Sequence, residues 1–268
     1  MFIDKMKLPK NSGFVFLSIS KFEKRKGFDK LVKAYIEEFG SDDKVSLYIR
    51  CNADDKNVKD FDELVKNCTE AKLNGPHASR GVPKNLPVLI RPLIPLTEMP
   101  SLYSAADCFV LPTHGEGWGL PIVEAMAMEV PVIATNWSGC TEYLRKDNAY
   151  LLEAEKLSDV EGNAGHKWAE SSLDDLKALM RRAVDEKSGE AREKAKMARK
   201  NVVEGYSREA IVSKVIEKLY EVNQLPKYVE PRFFGSTNTG NTGSNTNSGT
   251  NYYNSYTNSR PTRIKINP

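Results

Sequence analysis

The residues best equipped for chemistry lie in His114-Gly115-Glu116-Gly117-Trp118-Gly119-Leu120-Pro121, with Glu124 a turn further on. Closely spaced glycines let the backbone approach a ligand, and Pro121 suits the first turn of a helix. A helix start gathers unpaired N–H groups and the positive end of the macrodipole, which makes it an anion site. Carboxylates accept hydrogen bonds from vicinal hydroxyls, so Glu116 and Glu124 beside such a helix end suit a sugar and a ribose on either side of a diphosphate. Glu124 has a plainer second reading, an acid in a first helical turn favoured by the dipole. Cations are supplied by Lys21-Phe22-Glu23-Lys24-Arg25-Lys26-Gly27, and two further polar turns follow at Arg91-Pro92 and Asn136-Trp137-Ser138-Gly139.

These segments share an edge only if the elements before them are parallel strands. Phe14 to Ile19 reads as a strand, and Phe28, Leu31, Val32, Tyr35, Ile36 and Phe39 form one apolar helical face. Val45 to Ile49 is a second strand, Phe61, Leu64, Val65 and Cys68 a second helix face, and Val88 to Arg91 a third strand. Thr97 is the expected N-cap of a helix through Leu102 and Ala106. Cys108 to Leu111 and Pro131 to Ala134 are apolar runs of the buried-strand type, with the Pro121 helix between them. Asn148 to Leu152 could add a last strand, and the pattern from Ser172 onward is helical. The βα alternation predicts a parallel sheet whose ligands lie beyond the carboxyl ends of the strands, where all four polar segments sit.

Composition bounds the alternatives. With 268 residues, 40% hydrophobic and 28% charged, the chain reads as a globular α/β domain with appendages. Its charges are interleaved and nearly balanced, 39 basic against 36 acidic, so no general surface is offered to nucleic acid or anionic lipid. No apolar run is long enough for a transmembrane segment, and no charged leader precedes the first strand, which predicts a cytoplasmic protein. Cys51, Cys68, Cys108 and Cys140 lie far apart without metal-ligand spacing and read as buried free thiols. The glycines form neither a G-x-G-x-x-G nor a G-x-x-x-x-G-K-[ST] loop, which argues against a dehydrogenase-type dinucleotide site and a P-loop.

His114 to Thr135, HGEGWGLPIVEAMAMEVPVIAT, resembles the E-x7-E region of the family 4 retaining glycosyltransferases, and Glu116 and Glu124 match its two acids. Lys21 to Gly27 is similar to that family's G-R-x-x-x-x-K-G loop, and Leu102 to Pro112, LYSAADCFVLP, to the segment before the acidic motif. The resemblance covers roughly residues 12 to 226 and implies the C-terminal, donor-binding domain of a GT-B enzyme: a Rossmann-like parallel sheet flanked by helices, with C-terminal helices. By that resemblance Lys21 and Lys26 hold the diphosphate, Glu116 contacts the donor sugar, Glu124 the ribose, and the Gly119-Leu120 backbone the sugar and phosphates. The base falls near Arg91 to Leu93. The implied ligand is a nucleoside-diphosphate sugar, with no metal and no other cofactor. Three positions depart from the pattern: Lys21 replaces an arginine, Glu129 a helix-end glycine, and Ser138 one of a glycine pair. His114 matches no catalytic position of the family, and Trp118 and Trp137 read as packing residues.

The expected organisation is an N-terminal extension over 1–11, a nucleotide-sugar-binding domain over 12–226 and a disordered low-complexity tail over 227–268, since Ser236 to Asn251 is nearly all Ser, Thr, Asn and Gly. The tail's tyrosines and Arg260, Arg263 and Lys265 could dock a partner. The family's acceptor-binding N-terminal domain has no counterpart in this sequence, so the acceptor side is expected from a longer chain or a partner subunit. The acceptor could be a glycan, lipid or protein. The alternative is a non-catalytic nucleotide-sugar-binding module or regulatory subunit.

Overall fold

The computed structural model describes residues 13–76, 78–91, 94–160, 162 and 165–224. The expectations for 1–11, for Pro92 and Leu93, and for the tail with Arg260, Arg263 and Lys265 fall outside those residues. Six parallel strands form one sheet: β1 (Phe14–Ile19), β2 (Val45–Arg50), β3 (Val88–Ile90), β4 (Cys108–Leu111), β5 (Val132–Thr135) and β6 (Tyr150–Leu152), in the order β3-β2-β1-β4-β5-β6. Chain order therefore reverses between β1 and β4, the switch point at which the loops after both strands open a crevice.

Both faces of the sheet are buried, which is why its strands read as continuous apolar runs. Val15, Leu17, Ile19, Phe109, Leu111, Val132 and Ala134 point to one face, with Phe16, Leu47, Ile49, Val110 and Ile133 on the other. The first face is covered by α3 (Met99–Ser104), α4 (Leu120–Ala127) and α6 (Glu190–Tyr206) through Leu102, Ile122, Met126 and Val202. The second is covered by α1 (Phe28–Glu38), α2 (Asp55–Leu73) and α5 (Leu173–Asp185) through Leu31, Ile36, Phe61 and Met180. Asp54 caps α2, its carboxylate accepting from the Asn57 amide at 2.7 Å, and Ser172 caps α5.

Several boundaries differ from the pattern. Thr97 is not an N-cap: Leu96–Glu98 forms a 3-10 turn and α3 starts at Met99, because Pro100 has its φ fixed and its N–H missing and so belongs in the first turn. Cys51, Cys108 and Cys140 are buried free thiols, but Cys68 is half-buried, since it sits on the rim of α2's apolar face. An antiparallel hairpin, β7 (Ala154–Asp159) with β8 (Lys167–Ser171), stands where no strand pair was expected. The last helix, α7 (Arg208–Gln224), leaves Ile211, Val215, Ile216 and Leu219 exposed. Among the described residues no helix is long and apolar enough to cross a membrane.

Candidate functional site

The loop after β1 and the loop after β4 are locked together at the switch point. Gly27 makes this possible: it has φ +67, and a Cβ there would sit 2.1 Å from the Pro112 carbonyl oxygen. The His114 amide donates to the Arg25 carbonyl at 2.8 Å, and Arg25 Nη1 donates to the Gly115 carbonyl at 2.5 Å. This close approach carries Lys26 onto Glu116. Lys26 Nζ donates to Oε1 at 2.7 Å and to Oε2 at 2.9 Å, with Lys26 9% exposed and the Glu116 side chain 6%. The Thr113 hydroxyl donates to the same Oε1 at 2.9 Å. Lys21 does not join them: its side chain is 79% exposed and lies 3.9 Å from Glu23.

The turn after β5 fixes the other side of the Glu116 loop. Gly139 donates to the Glu116 carbonyl at 3.0 Å, and a Cβ on Gly139 would sit 1.9 Å from the Gly117 oxygen, so no side chain fits. Ser138 has φ +62, the region where a glycine costs nothing. Its hydroxyl accepts from the Glu116 amide and donates to the Glu116 carbonyl. Glu129, the second non-glycine residue with positive φ, closes α4 in a Schellman arrangement, with Glu129 N donating to Met126 O and Val130 N to Ala125 O, both at 3.0 Å.

α4 opens at this cluster. Gly119 caps it with φ +82, where a Cβ would meet the Tyr143 hydroxyl at 2.8 Å. Ile122 and Val123 both donate to the Gly119 carbonyl and Pro121 has no N–H, so the Leu120 amide is left at the helix mouth without an intrahelical acceptor. Leu120 itself is exposed. Glu124, one turn on, is exposed and accepts from the Tyr103 hydroxyl at 2.6 Å. Burial, reinforced by that bond, holds the Tyr103 phenol protonated far above its ordinary range.

Glu124 borders a 620 Å3 cleft lined by Ile19, Ile94, Leu96, Met99 and Tyr103, with the Arg50 guanidinium at its edge. A largely apolar cleft of this size with few polar groups is the usual form of a small-molecule site. Arg91 lies apart from the cluster, half-exposed and paired with Asp55 at 2.7 Å. A second cavity, of 490 Å3, is lined by the Glu116 loop, Trp137, Ser138 and the β7–β8 hairpin. Among the described residues no three His, Cys, Asp or Glu side chains come together in a set able to hold a metal ion.

His114 is buried and structural: its ring stacks on Trp168 at 5.2 Å, and Nδ1 donates to the Ala169 carbonyl at 2.8 Å. Trp118 packs against Tyr143 and Tyr206, as its type suggested. Trp137 does not share that role; it lines the second cavity without a ring partner among the described residues. Tyr103, Arg50, Thr113 and the hairpin were not singled out from the sequence. The hairpin's signal in the sequence is confined to the glycines at 162 and 165, a turn composition between two short segments.

The fold recurs in known proteins. The structure is similar to the C-terminal domain of the glycosyl transferase group 1 family protein LpcC from Francisella tularensis, with TM-score 0.57 and 22% identity, covering 76% of this chain and 91% of that domain. It is similar to HepE of Anabaena, solved in complex with UDP and glucose, with TM-score 0.59 and 17% identity over 82% of this chain and 51% of that one. In sequence it is 25% identical over 145 residues to the putative teichuronic acid biosynthesis glycosyltransferase TuaC of Bacillus subtilis, a match spanning 50% of this chain and 37% of that protein. The chain thus spans about half, or less, of the full-length relatives it matches, and its fold is that of the C-terminal GT-B domain. Residues 13–161, more than half of the 268, match the family described as glycosyl transferases group 1, and the chain belongs to that family.

Proposed function

We propose that this chain binds a nucleoside-diphosphate sugar and stabilises the diphosphate as it leaves in a glycosyl transfer that retains configuration at the anomeric carbon. The observation that carries the reading is the buried Lys26–Glu116 pair at the mouth of α4, beside a cleft bordered by Glu124. In this reading the Leu120 amide, the α4 dipole and Lys26 face the diphosphate. Lys21 swings in from solvent to join them. Glu116 takes sugar hydroxyls, Glu124 takes the ribose, and the base lies toward Arg91. The bond from the anomeric carbon to the diphosphate oxygen breaks with its electron pair staying on the diphosphate. An acceptor hydroxyl bonds to the same face, and its proton passes to the departing phosphate. Fixed charges and dipoles aimed at the growing negative charge stabilise such a transition state by several kcal/mol.

No divalent metal is needed for that charge balance. HepE, which shares the fold, was solved with UDP and glucose. The acceptor, a glycan, lipid or protein, is held by a further domain of a longer chain or by a partner. The exposed apolar residues of α7 support a folded neighbour. The deciding experiment is calorimetry of UDP, GDP and ADP and their hexose conjugates in the presence of chelator. Binding of one nucleotide series is expected, and no binding to any of the three would overturn the reading. Binding without transfer, once an acceptor domain is supplied, would favour a non-catalytic donor-binding module.

A further inference from the structure

The 490 Å3 cavity against the hairpin shares no lining residue with the 620 Å3 cleft. Its floor is Gly115, Glu116 and Gly117; one wall is Trp137 with Ser138, and the other is His166, Lys167 and Trp168 of the hairpin. Its size falls within the roughly 300–1,000 Å3 usual for small-molecule sites. The hairpin wall is not a loose flap. Ala169 N donates to the His114 carbonyl at 2.9 Å, the His114 ring fills the space behind Trp168, and Lys30 Nζ donates to the Ser171 carbonyl at 2.8 Å. The hairpin is therefore tied to the Glu116 loop and to α1, the helix that follows the Lys26 loop.

Two side chains lining this cavity, Trp137 and His166, have bonding capacity unused among the described residues. Trp118 is held in an aromatic cluster, whereas Trp137 has no ring partner among the described residues. The His166 side chain has no hydrogen bond or ion pair among them. An indole face and an imidazole without a partner among the described residues are groups that hold a pyranose, whose C–H face is apolar and whose rim is a ring of hydroxyls. The cations here do not make the cavity an anion site, since Lys167 is paired with Asp159 at 2.5 Å and Arg25 with Glu23 and Glu116.

We propose that the hairpin, with Trp137, forms a pyranose-binding subsite beside Glu116, in a cavity separate from the nucleotide cleft. The subsite rests on the donor-site reading for its role in transfer, not for its existence. The sugar it takes is either the hexose of the donor or a saccharide unit of the acceptor, and the same chemistry serves both.

His166→Ala and Trp137→Ala in the full chain separate these cases. His166 is exposed and its side chain makes no hydrogen bond or ion pair among the described residues, so its truncation is expected to leave the fold intact; circular dichroism and nucleoside diphosphate affinity serve as checks on both variants. The probes are UDP-glucose and GDP-mannose by calorimetry, and methyl α-glucoside and methyl α-mannoside by saturation-transfer NMR with and without nucleoside diphosphate. A donor subsite predicts that both variants weaken the nucleotide sugar by roughly tenfold, the scale of losing an aromatic anchor, with the nucleoside diphosphate unchanged. An acceptor subsite predicts that they lose the methyl glycoside signal with nucleotide-sugar affinity unchanged. Wild-type behaviour of both variants toward all four probes would overturn the subsite. If no nucleotide binds, the donor reading fails while a His166- and Trp137-dependent glycoside signal still supports the subsite; absence of every signal overturns both.

Discussion

The Ser138 hydroxyl brackets the backbone of Glu116, accepting from its amide at 2.7 Å and donating to its carbonyl at 3.0 Å. Ser138 achieves this in the left-handed region, at φ +62, so a conformational cost is offset by two bonds to the residue most central to the site. Ser138→Ala keeps the strain and loses the bonds, and is expected to destabilise the chain by about 1–3 kcal/mol. Ser138→Gly loses the bonds and relieves a strain of about 1–2 kcal/mol, so its stability should stay near wild type. Urea unfolding of the two variants checks the order. An alanine variant as stable as the glycine variant would show that Ser138 is not strained.

Glu129 terminates α4 at φ +57 with no glycine, although its backbone already makes both Schellman bonds. Glu129→Gly should therefore stabilise the chain by about 1 kcal/mol, since glycine adopts this conformation without the Cβ penalty. Thermal melting reads this directly. A lower Tm would mean that the Glu129 side chain contributes a contact worth more than the strain.

Removing Lys26 leaves the buried Glu116 carboxylate with only the Thr113 hydroxyl and the Arg25 guanidinium at 3.6 Å, and breaking a buried pair costs about 3–5 kcal/mol, with the lower end expected here. Lys26→Met should therefore unfold at markedly lower urea concentration, and Lys26→Met with Glu116→Leu should recover much of the loss. A double variant no more stable than the single one would refute the coupling.

The same pair makes an asymmetric binding prediction. Glu116→Gln releases Lys26 from its carboxylate, so affinity for a free nucleoside diphosphate should hold or tighten, while affinity for the sugar conjugate should fall. Calorimetry on both ligands is the check. Equal losses on the two would remove Glu116 from the sugar.

Arg181 donates to Asp43 through Nη1 at 2.7 Å and Nη2 at 3.1 Å, and this bonding, ahead of the charge of Arg80, holds the Asp43 carboxyl below its ordinary range. A depressed acid contributes stability that is full above its unfolded pKa, about 3.9 for Asp, and that is lost as pH falls through the lower folded value. Arg181→Met should flatten the fall in urea midpoint below about pH 4 relative to wild type. Parallel acid profiles for the two proteins would count against this pair as an acid-sensitive contact.

The sheet was legible because a parallel strand buried on both faces is apolar at nearly every position, so Phe14 to Ile19, with Ser18 its one polar residue, and Cys108 to Leu111 announce themselves locally. The same holds for the glycines and Pro121, which mark a helix mouth by backbone chemistry alone. Thr97 misled because capping propensity is outweighed by a proline three residues on. The hairpin went unread because Ala154–Asp159 is mostly polar and carries little alternation, its stability coming from contacts with His114 and Lys30 far away in the chain. Sequence thus determined the strands of the main sheet, their parallel direction and the residue types at the carboxyl edge, all consequences of local periodicity. Only the tertiary structure decided that Lys26 joins Glu116 while Lys21 stays in solvent, that Ser138 brackets Glu116, and that Trp137 faces a cavity and Trp118 a packed cluster. Those outcomes depend on which loops the switch point brings within hydrogen-bonding distance, and hydrogen bonds between residues some 20 to 90 positions apart leave no periodic trace in the chain.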